Sequence, residues 1–169
     1  MTSTRILESE QIERKIQRIA RQIAEEFIQA DKIHLISIAG NGEPFGSRIA
    51  NALTCICDIK IESGTLKLNK SAPLESPIEL SSDLGALVGE QIIIVDDVLN
   101  SGKTLMYAVH HILSAGPARV ATAVLVDRIH RSFPVRADFC GLSLSTNLKE
   151  HIYVTIHHSM HDSDEAVLM

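Results

Sequence analysis

The sequence contains no tryptophan, four phenylalanines and two tyrosines, so aromatic residues make up only 4% of it. Proteins that bind single-stranded nucleic acids without sequence preference stack the bases on aromatic side chains, so this class is not expected. The net charge of −5 at pH 7 also argues against a protein that coats nucleic acid non-specifically. It leaves room for a local basic patch.

Cysteine is scarce as well. Cys55, Cys57 and Cys140 leave one thiol over in any pairing, so we expect no disulfide framework and a reducing setting. No run of about 18 apolar residues occurs, which predicts that no helix crosses a membrane. Residues 1–30 carry charges throughout and show no secretory signal. We therefore expect a cytoplasmic protein.

The pattern of apolar residues predicts alternating helices and strands. Isoleucines at helical spacing over 12–23 indicate a first helix, and strands are expected at 33–38 and 55–61. Residues 62–90 are irregular and predict a mobile loop. Residues 92–95 are four consecutive β-branched side chains, which is typical of a strand buried on both faces.

This alternation predicts an α/β fold with a central, mostly parallel sheet flanked by helices. With 169 residues, the chain has the length of one domain, which we place at residues 1–156. A polar, loose tail is expected over 157–169. Ligands of such sheets bind at the carboxyl ends of the strands, where the loops 39–42 and 96–104 lie.

The second of these loops has the chemistry of a sugar-phosphate site. Backbone amides of residues 100–104, at the start of a helix, suit a phosphate. Asp96 and Asp97 cannot bind the same phosphate and are better placed for sugar hydroxyls or a metal ion. A nucleoside-triphosphate P-loop is not expected, because that motif needs glycine where this chain has Asp97.

The buried strand, Asp96-Asp97 and the sequence Ser101-Gly102-Lys103-Thr104 together resemble the signature of type I phosphoribosyltransferases. In that family the two acids hold the ribose hydroxyls of phosphoribosyl pyrophosphate (PRPP), and the following loop holds its 5-phosphate. The resemblance implies a type I phosphoribosyltransferase fold, catalytic roles for Asp96 and Asp97, and Mg²⁺ bound with PRPP. It also implies a set of PRPP-binding residues, which are Asp96, Asp97, Asn100, Ser101, Gly102, Lys103 and Thr104.

Residues 125–141 resemble the hood of one branch, the bifunctional pyrimidine-operon attenuator / uracil phosphoribosyltransferase family. The resemblance covers most of residues 6–156 and implies a small hood built from about 127–150 and parts of the N-terminus. The family's flexible loop corresponds to residues 62–84, where Lys67 and Lys70 are the nearest substitutes for its usual residues.

The family's pyrophosphate loop corresponds to Ala39, Gly40, Asn41 and Gly42. This branch commonly has lysine and arginine where the present chain has Ala39 and Asn41. Two cationic contacts to the leaving pyrophosphate are therefore missing, and such contacts stabilise the negative charge that develops as it departs.

The resemblance also implies base-binding roles for Phe139, Cys140 and Asp127. Phe139 would stack on the base, although a core aromatic is an equal interpretation. Cys140 would offer its backbone to the base edge, and Thr146 falls near a position that helps to hold magnesium. Asn100 and Asp127 depart from the acid and the lysine that purine-salvage enzymes have there, and they fit uracil better than a 6-oxopurine.

Three functions follow from the resemblance. The first is phosphoribosyl transfer from PRPP to a nucleobase, with uracil preferred. The second is RNA-binding regulation of pyrimidine genes, with nucleotide as effector. The third is a sensor of PRPP or nucleotides that has lost catalysis. A homodimer or higher homo-oligomer is also implied, and the RNA-binding candidates are Arg18, Arg21, His130, Arg131 and Arg136.

Overall fold

The structure is a computed structural model that describes residues 3–147 and 150–169. Strands and helices alternate from β1 to β3 and again from β5 to β6, as the sequence predicts, whereas β3, β4 and β5 follow one another without an α-helix between them. A 3₁₀ turn over Leu84–Leu87 precedes β5. In chain order the elements are β1 (Thr4–Glu8), α1 (Ser9–Glu26), β2 (Lys32–Ile38), α2 (Gly42–Ile56), β3 (Lys60–Lys67), β4 (Glu79–Leu80), β5 (Gln91–Leu99), α3 (Lys103–Leu113), β6 (Arg119–Asp127), β7 (Phe139–Ser143), β8 (Ile152–Thr155) and β9 (Glu165–Leu168).

Six strands form the central sheet in the order β4-β3-β2-β5-β6-β7. All neighbouring pairs are parallel except β3 and β4. Helices α1 and α2 cover one face and α3 the other, which gives two apolar clusters. The predicted α/β class and the mostly parallel sheet are confirmed.

Strand β5 lies in the centre because its side chains are apolar on both faces. Ile92, Ile93, Ile94 and Val95 are fully buried, and β5 pairs with β2 and β6. The strand continues to Leu99. The acid pair therefore lies within the last part of the strand, rather than in the loop that the sequence predicts.

The tail predicted to be loose over 157–169 is ordered instead. Strand β9 pairs antiparallel with both β1 and β8, and these three strands form a second sheet, called the hood sheet here. Of the segments predicted to build a hood, the N-terminal strand β1 lies in this sheet, whereas β7, within residues 127–150, joins the central sheet. One face of the hood sheet is buried, and its apolar side chains include Val154 of β8 and Ala166 of β9.

A buried ion cluster attaches this tail to the body of the domain. Arg48 of α2 donates to Asp164 at 2.6 Å and to Glu13 of α1 at 2.5 Å. Asp164 is 1% exposed and also accepts hydrogen bonds from the backbone of His157 and of His161. These bonds satisfy a carboxylate that would otherwise be costly to bury.

Two further predictions between α2 and β5 are corrected. Residues 55–61 are not one strand, because α2 extends to Ile56 and β3 begins at Lys60. The stretch predicted to be irregular contains most of β3, the short strand β4 and the 3₁₀ turn. No helix within the described ranges is long and apolar enough to span a membrane.

Candidate functional site

A cavity of about 210 Å³ opens at the carboxyl end of β5. Lys70 and Ile152 also line it, so the segment after β3 and the hood sheet both contribute to its walls. The structure brings together every residue predicted to bind PRPP, and these lining residues are Asp96, Asp97, Asn100, Ser101, Gly102, Lys103 and Thr104.

The two acids at the cavity differ in burial. Asp96 is 4% exposed, and its Oδ1 accepts a hydrogen bond of 3.0 Å from the backbone N–H of Asp97. Burial and the neighbouring Asp97 carboxylate raise the pKa of Asp96 well above its usual range. Lys70 Nζ, 3.8 Å from Asp96 Oδ1, partly opposes this effect. The pair therefore favours ligands that bring hydroxyl donors or a cation.

The turn after β5 presents backbone amides to the cavity. Gly102 has φ +85°, and a Cβ there would lie 2.7 Å from Val135 Cγ1, so glycine is required. The Ser101 hydroxyl accepts from the backbone N–H of Lys103, where the 11-residue helix α3 begins. Amides at a helix start, together with the helix dipole, make a phosphate site.

The segment between β3 and β4 folds over this turn. Lys103 Nζ donates to the carbonyl oxygen of Ser71 at 2.7 Å, and Lys70 faces Asp96. Of the two lysines named from the sequence, Lys70 lines the cavity. This segment corresponds to the loop predicted to close over the site.

The loop predicted to bind pyrophosphate approaches the acid pair from the other side. Asn41 Nδ2 donates to the carbonyl oxygen of Val154 at 2.8 Å and to Asp97 Oδ2 at 3.3 Å. Gly40 has φ +103°, and a Cβ on Gly42 would lie 3.1 Å from the carbonyl oxygen of Val95. The loop thus contacts Asp97 and the hood sheet through an uncharged amide, while Ala39 places no cation in the loop.

The predicted base-binding residues do not meet at the cavity. Phe139 begins β7, four positions before its end, and packs against Phe27, the residue that follows α1, with ring centroids 6.4 Å apart. It is a core aromatic because its strand position faces α1. The backbone oxygen of Cys140 accepts from Arg18 at 3.1 Å. Asp127 is occupied by Arg131 and by the backbone N–H of Ile129.

Arg128 is a site residue that the sequence did not single out. It follows β6, is 7% exposed, and donates to Asn100 Oδ1 at 3.2 Å and to Thr146 Oγ1 at 2.9 Å. Its place directly after a buried strand, beside the end of β5, was the available signal. Thr146 accepts from a cation, so it is a poor candidate for a magnesium ligand.

All five predicted RNA-binding residues are exposed, but three of them also pair with other parts of the protein. Arg18 is tied to β7 by a 2.6 Å bond to the carbonyl oxygen of Gly141. Arg131 pairs with Asp127, and Arg136 pairs with Asp138 at 3.4 Å while its side chain remains 84% exposed. Arg21 and His130 are exposed.

The donor set was also tested for a metal. Within residues 3–147 and 150–169, no three His, Cys, Asp or Glu side chains are grouped to hold an ion. Magnesium is commonly bound by one or two carboxylates together with the phosphates of a substrate. Asp96 and Asp97 could serve as the two carboxylates of such a site, with a substrate supplying the phosphates.

Residues 2–157 match the family model described as the phosphoribosyl transferase domain. The "Bifunctional protein PyrR" of Roseiflexus sp. (strain RS-1) is 34% identical, covering 93% of this chain and 90% of the relative. The "Pyrimidine operon regulatory protein" of Lactococcus lactis subsp. lactis (strain IL1403) is 35% identical, covering 100% and 98%. A hypoxanthine phosphoribosyltransferase structure from Trypanosoma cruzi superposes with TM-score 0.80 at 20% identity, covering 98% and 95%.

Proposed function

Because this chain belongs to the phosphoribosyl transferase family, we propose that it transfers the phosphoribosyl group of PRPP to a pyrimidine base, uracil, and releases pyrophosphate. The observation that carries the proposal is the single cavity that joins two carboxylates to an amide-rich turn at a helix start. The carboxylates suit ribose hydroxyls, and the turn suits the 5-phosphate.

The reaction forms a bond between C1 of the ribose and a base nitrogen as the bond to pyrophosphate breaks, and the proton of that nitrogen passes to pyrophosphate or to solvent. Positive charge develops on the ribose and negative charge on the leaving group, so the protein has mainly to position the reactants and exclude water. Asp96 and Asp97 orient the ribose, and residues 101–104 anchor the phosphate. Asp96 and Asp97 would hold Mg²⁺ together with PRPP, and the ion would supply positive charge to the leaving pyrophosphate.

The test is pyrophosphate release from PRPP and Mg²⁺ with each of uracil, orotate, adenine, hypoxanthine, guanine and xanthine. We expect release with uracil, and its loss in Asp97→Asn, which keeps the shape and removes the charge. Asn51→Asp, an added charge at an exposed position of α2, is the control and should retain activity. Turnover with a purine instead would refute the pyrimidine assignment.

A second candidate is a regulator that binds RNA and nucleotide. It is favoured by the loop at residues 39–42, which lacks the cations that assist pyrophosphate departure, and by the names of the relatives. A regulator that has lost catalysis would release pyrophosphate with none of the bases, while uridine 5′-monophosphate would still bind. If the protein binds nucleotide, releases no pyrophosphate and also fails to bind RNA, it is the nucleotide sensor.

The RNA surface can be tested with two exposed arginines. Arg21→Ala and Arg136→Ala should each weaken binding of a pyrimidine-operon leader RNA and reduce its salt dependence, because each removes a phosphate contact. Arg14→Ala, on the same helix as Arg21 and paired with Glu10, is the control. Equal affinity and salt dependence in all of these variants would refute this surface.

A further inference from the structure

Arg128 holds the side chain of Asn100 in one orientation. Its guanidinium donates to Asn100 Oδ1 at 3.2 Å, to Thr146 Oγ1 at 2.9 Å and to the carbonyl oxygen of Asn147 at 3.2 Å. Its backbone N–H donates to the carbonyl oxygen of Leu99 at 3.0 Å. At 7% exposure, Arg128 is therefore fixed to the ends of both β5 and β6.

This contact decides which end of the amide faces the ligand. A guanidinium has five N–H donors and no acceptor, so only the oxygen of Asn100 can face it. The amide NH₂ is then turned away from Arg128, and no acceptor among the described residues binds it. Asn100 lines the cavity between the acid pair and the phosphate turn. The amide is thus a hydrogen-bond donor available to the ligand.

We propose that Asn100, oriented by Arg128, selects a ligand base with a carbonyl acceptor beside its bond to ribose, namely the 2-carbonyl of a pyrimidine. This inference rests on the proposed function, which places ribose over the acid pair. The 2-carbonyl adjoins N1, the nitrogen bonded to ribose, so it is the acceptor nearest to an amide beside the ribose site.

A purine base that attacks through N9 carries its proton on N7. It would therefore turn an N–H donor toward the donors of Asn100, and a site built for one hydrogen-bond partner rejects a ligand that leaves its group unpaired. Arg128 is the positioning residue in this arrangement, and Asn100 is the specificity-determining one.

The experiment compares uridine 5′-monophosphate with its 2-thio and 4-thio analogues by calorimetric titration. Sulfur is a weak acceptor, so 2-thio substitution should weaken binding to the native protein by about tenfold. The 4-thio analogue is the matched control and should bind within about threefold of the parent nucleotide. Ribose 5-phosphate reports the binding of the shared ribose and phosphate.

Variants of Asn100 and of Arg128 test the two roles separately. Asn100→Leu, of similar size, should abolish the difference between the 2-thio and 4-thio ligands, and its affinity for ribose 5-phosphate is measured in the same variant. Arg128→Met should reduce the difference in affinity between the 2-thio and 4-thio ligands, because the Asn100 amide is then free to rotate. Circular dichroism checks that this variant folds. A merely structural role of Arg128 would lower all affinities equally.

Two negative outcomes are distinguishable. If the nucleotide binds and Asn100→Leu keeps the native 2-thio penalty, or the native protein has none, the selection by Asn100 is overturned while the proposed function stands. If neither PRPP nor any of these nucleotides binds the native protein, the proposed function is overturned, and this inference with it.

Discussion

Replacing Arg48 by methionine tests how the C-terminal segment is held. The substitution keeps the length of the buried stem and removes the charge that faces Asp164, whose side chain is fully buried. Burial raises the pKa of Asp164, but hydrogen bonds from His157, Arg48 and the backbone of His161 outweigh it, so the pKa lies below its usual range. In Arg48→Met this carboxylate loses a principal partner.

Removing one partner of a buried ion pair costs about 3–5 kcal/mol, because the remaining charge stays out of water. For a chain of this size, that loss lowers the melting temperature by roughly 10 °C. Glu13 adds less, since its side chain is 31% exposed and water can replace Arg48 there.

Urea denaturation measures the free energy of unfolding, and hydrogen exchange of the β9 amides shows whether the tail detaches first. Arg14→Met is the control, because its pair with Glu10 is exposed and contributes less than about 1 kcal/mol. Asp164→Leu combined with Arg48→Met should recover part of the loss. Equal stability of Arg48→Met and Arg14→Met would refute the anchoring role of this cluster.

Three further outcomes are expected. Because burial raises the pKa of Asp96, the free energy of unfolding should fall as the pH rises through and above the ordinary carboxyl range. Asp96→Asn should flatten this dependence, measured by denaturation at a series of pH values, and should abolish PRPP binding. Gly102→Ala, at φ +85° and against Val135, should cost about 1–2 kcal/mol by denaturation and weaken PRPP binding in titration. Arg18→Ala should cost about 1–3 kcal/mol by urea denaturation, and Arg21→Ala less than about 0.5.

The acid pair and the phosphate turn were predictable because their chemistry is local. Residues 96–104 run directly from a buried apolar strand into a helix, so spacing alone places carboxylates and amides at one end of the sheet. Strands β2 and β5 were predictable for the same reason, since each carries its own apolar pattern, whereas β3 and β4 carry mostly polar residues and were not predicted.

Contacts between distant parts of the chain were not predictable in this way. Arg48 and Asp164 lie 116 positions apart, and Arg18 meets Gly141 across 123 positions. The tail was predicted to be loose because its residues are mostly polar, and the sequence gives no sign that Asp164 pairs with Arg48. For Phe139 the motif left base stacking and a core position equally open, and the contact of its ring with Phe27 favours the core position.

The site is asymmetric about Asp97, and this asymmetry bears on function. On one side, the turn at residues 101–104 is ready for phosphate, and its shape depends on Gly102 and the start of α3. On the other side, the side-chain NH₂ of Asn41 donates hydrogen bonds both to Asp97 and to the carbonyl oxygen of Val154 in the hood sheet. Under the proposed function, binding of a ribose phosphate would depend mainly on the first side, whereas departure of pyrophosphate would depend on the second. A chain built this way can keep nucleotide affinity while its turnover changes, so binding and catalysis must be measured separately.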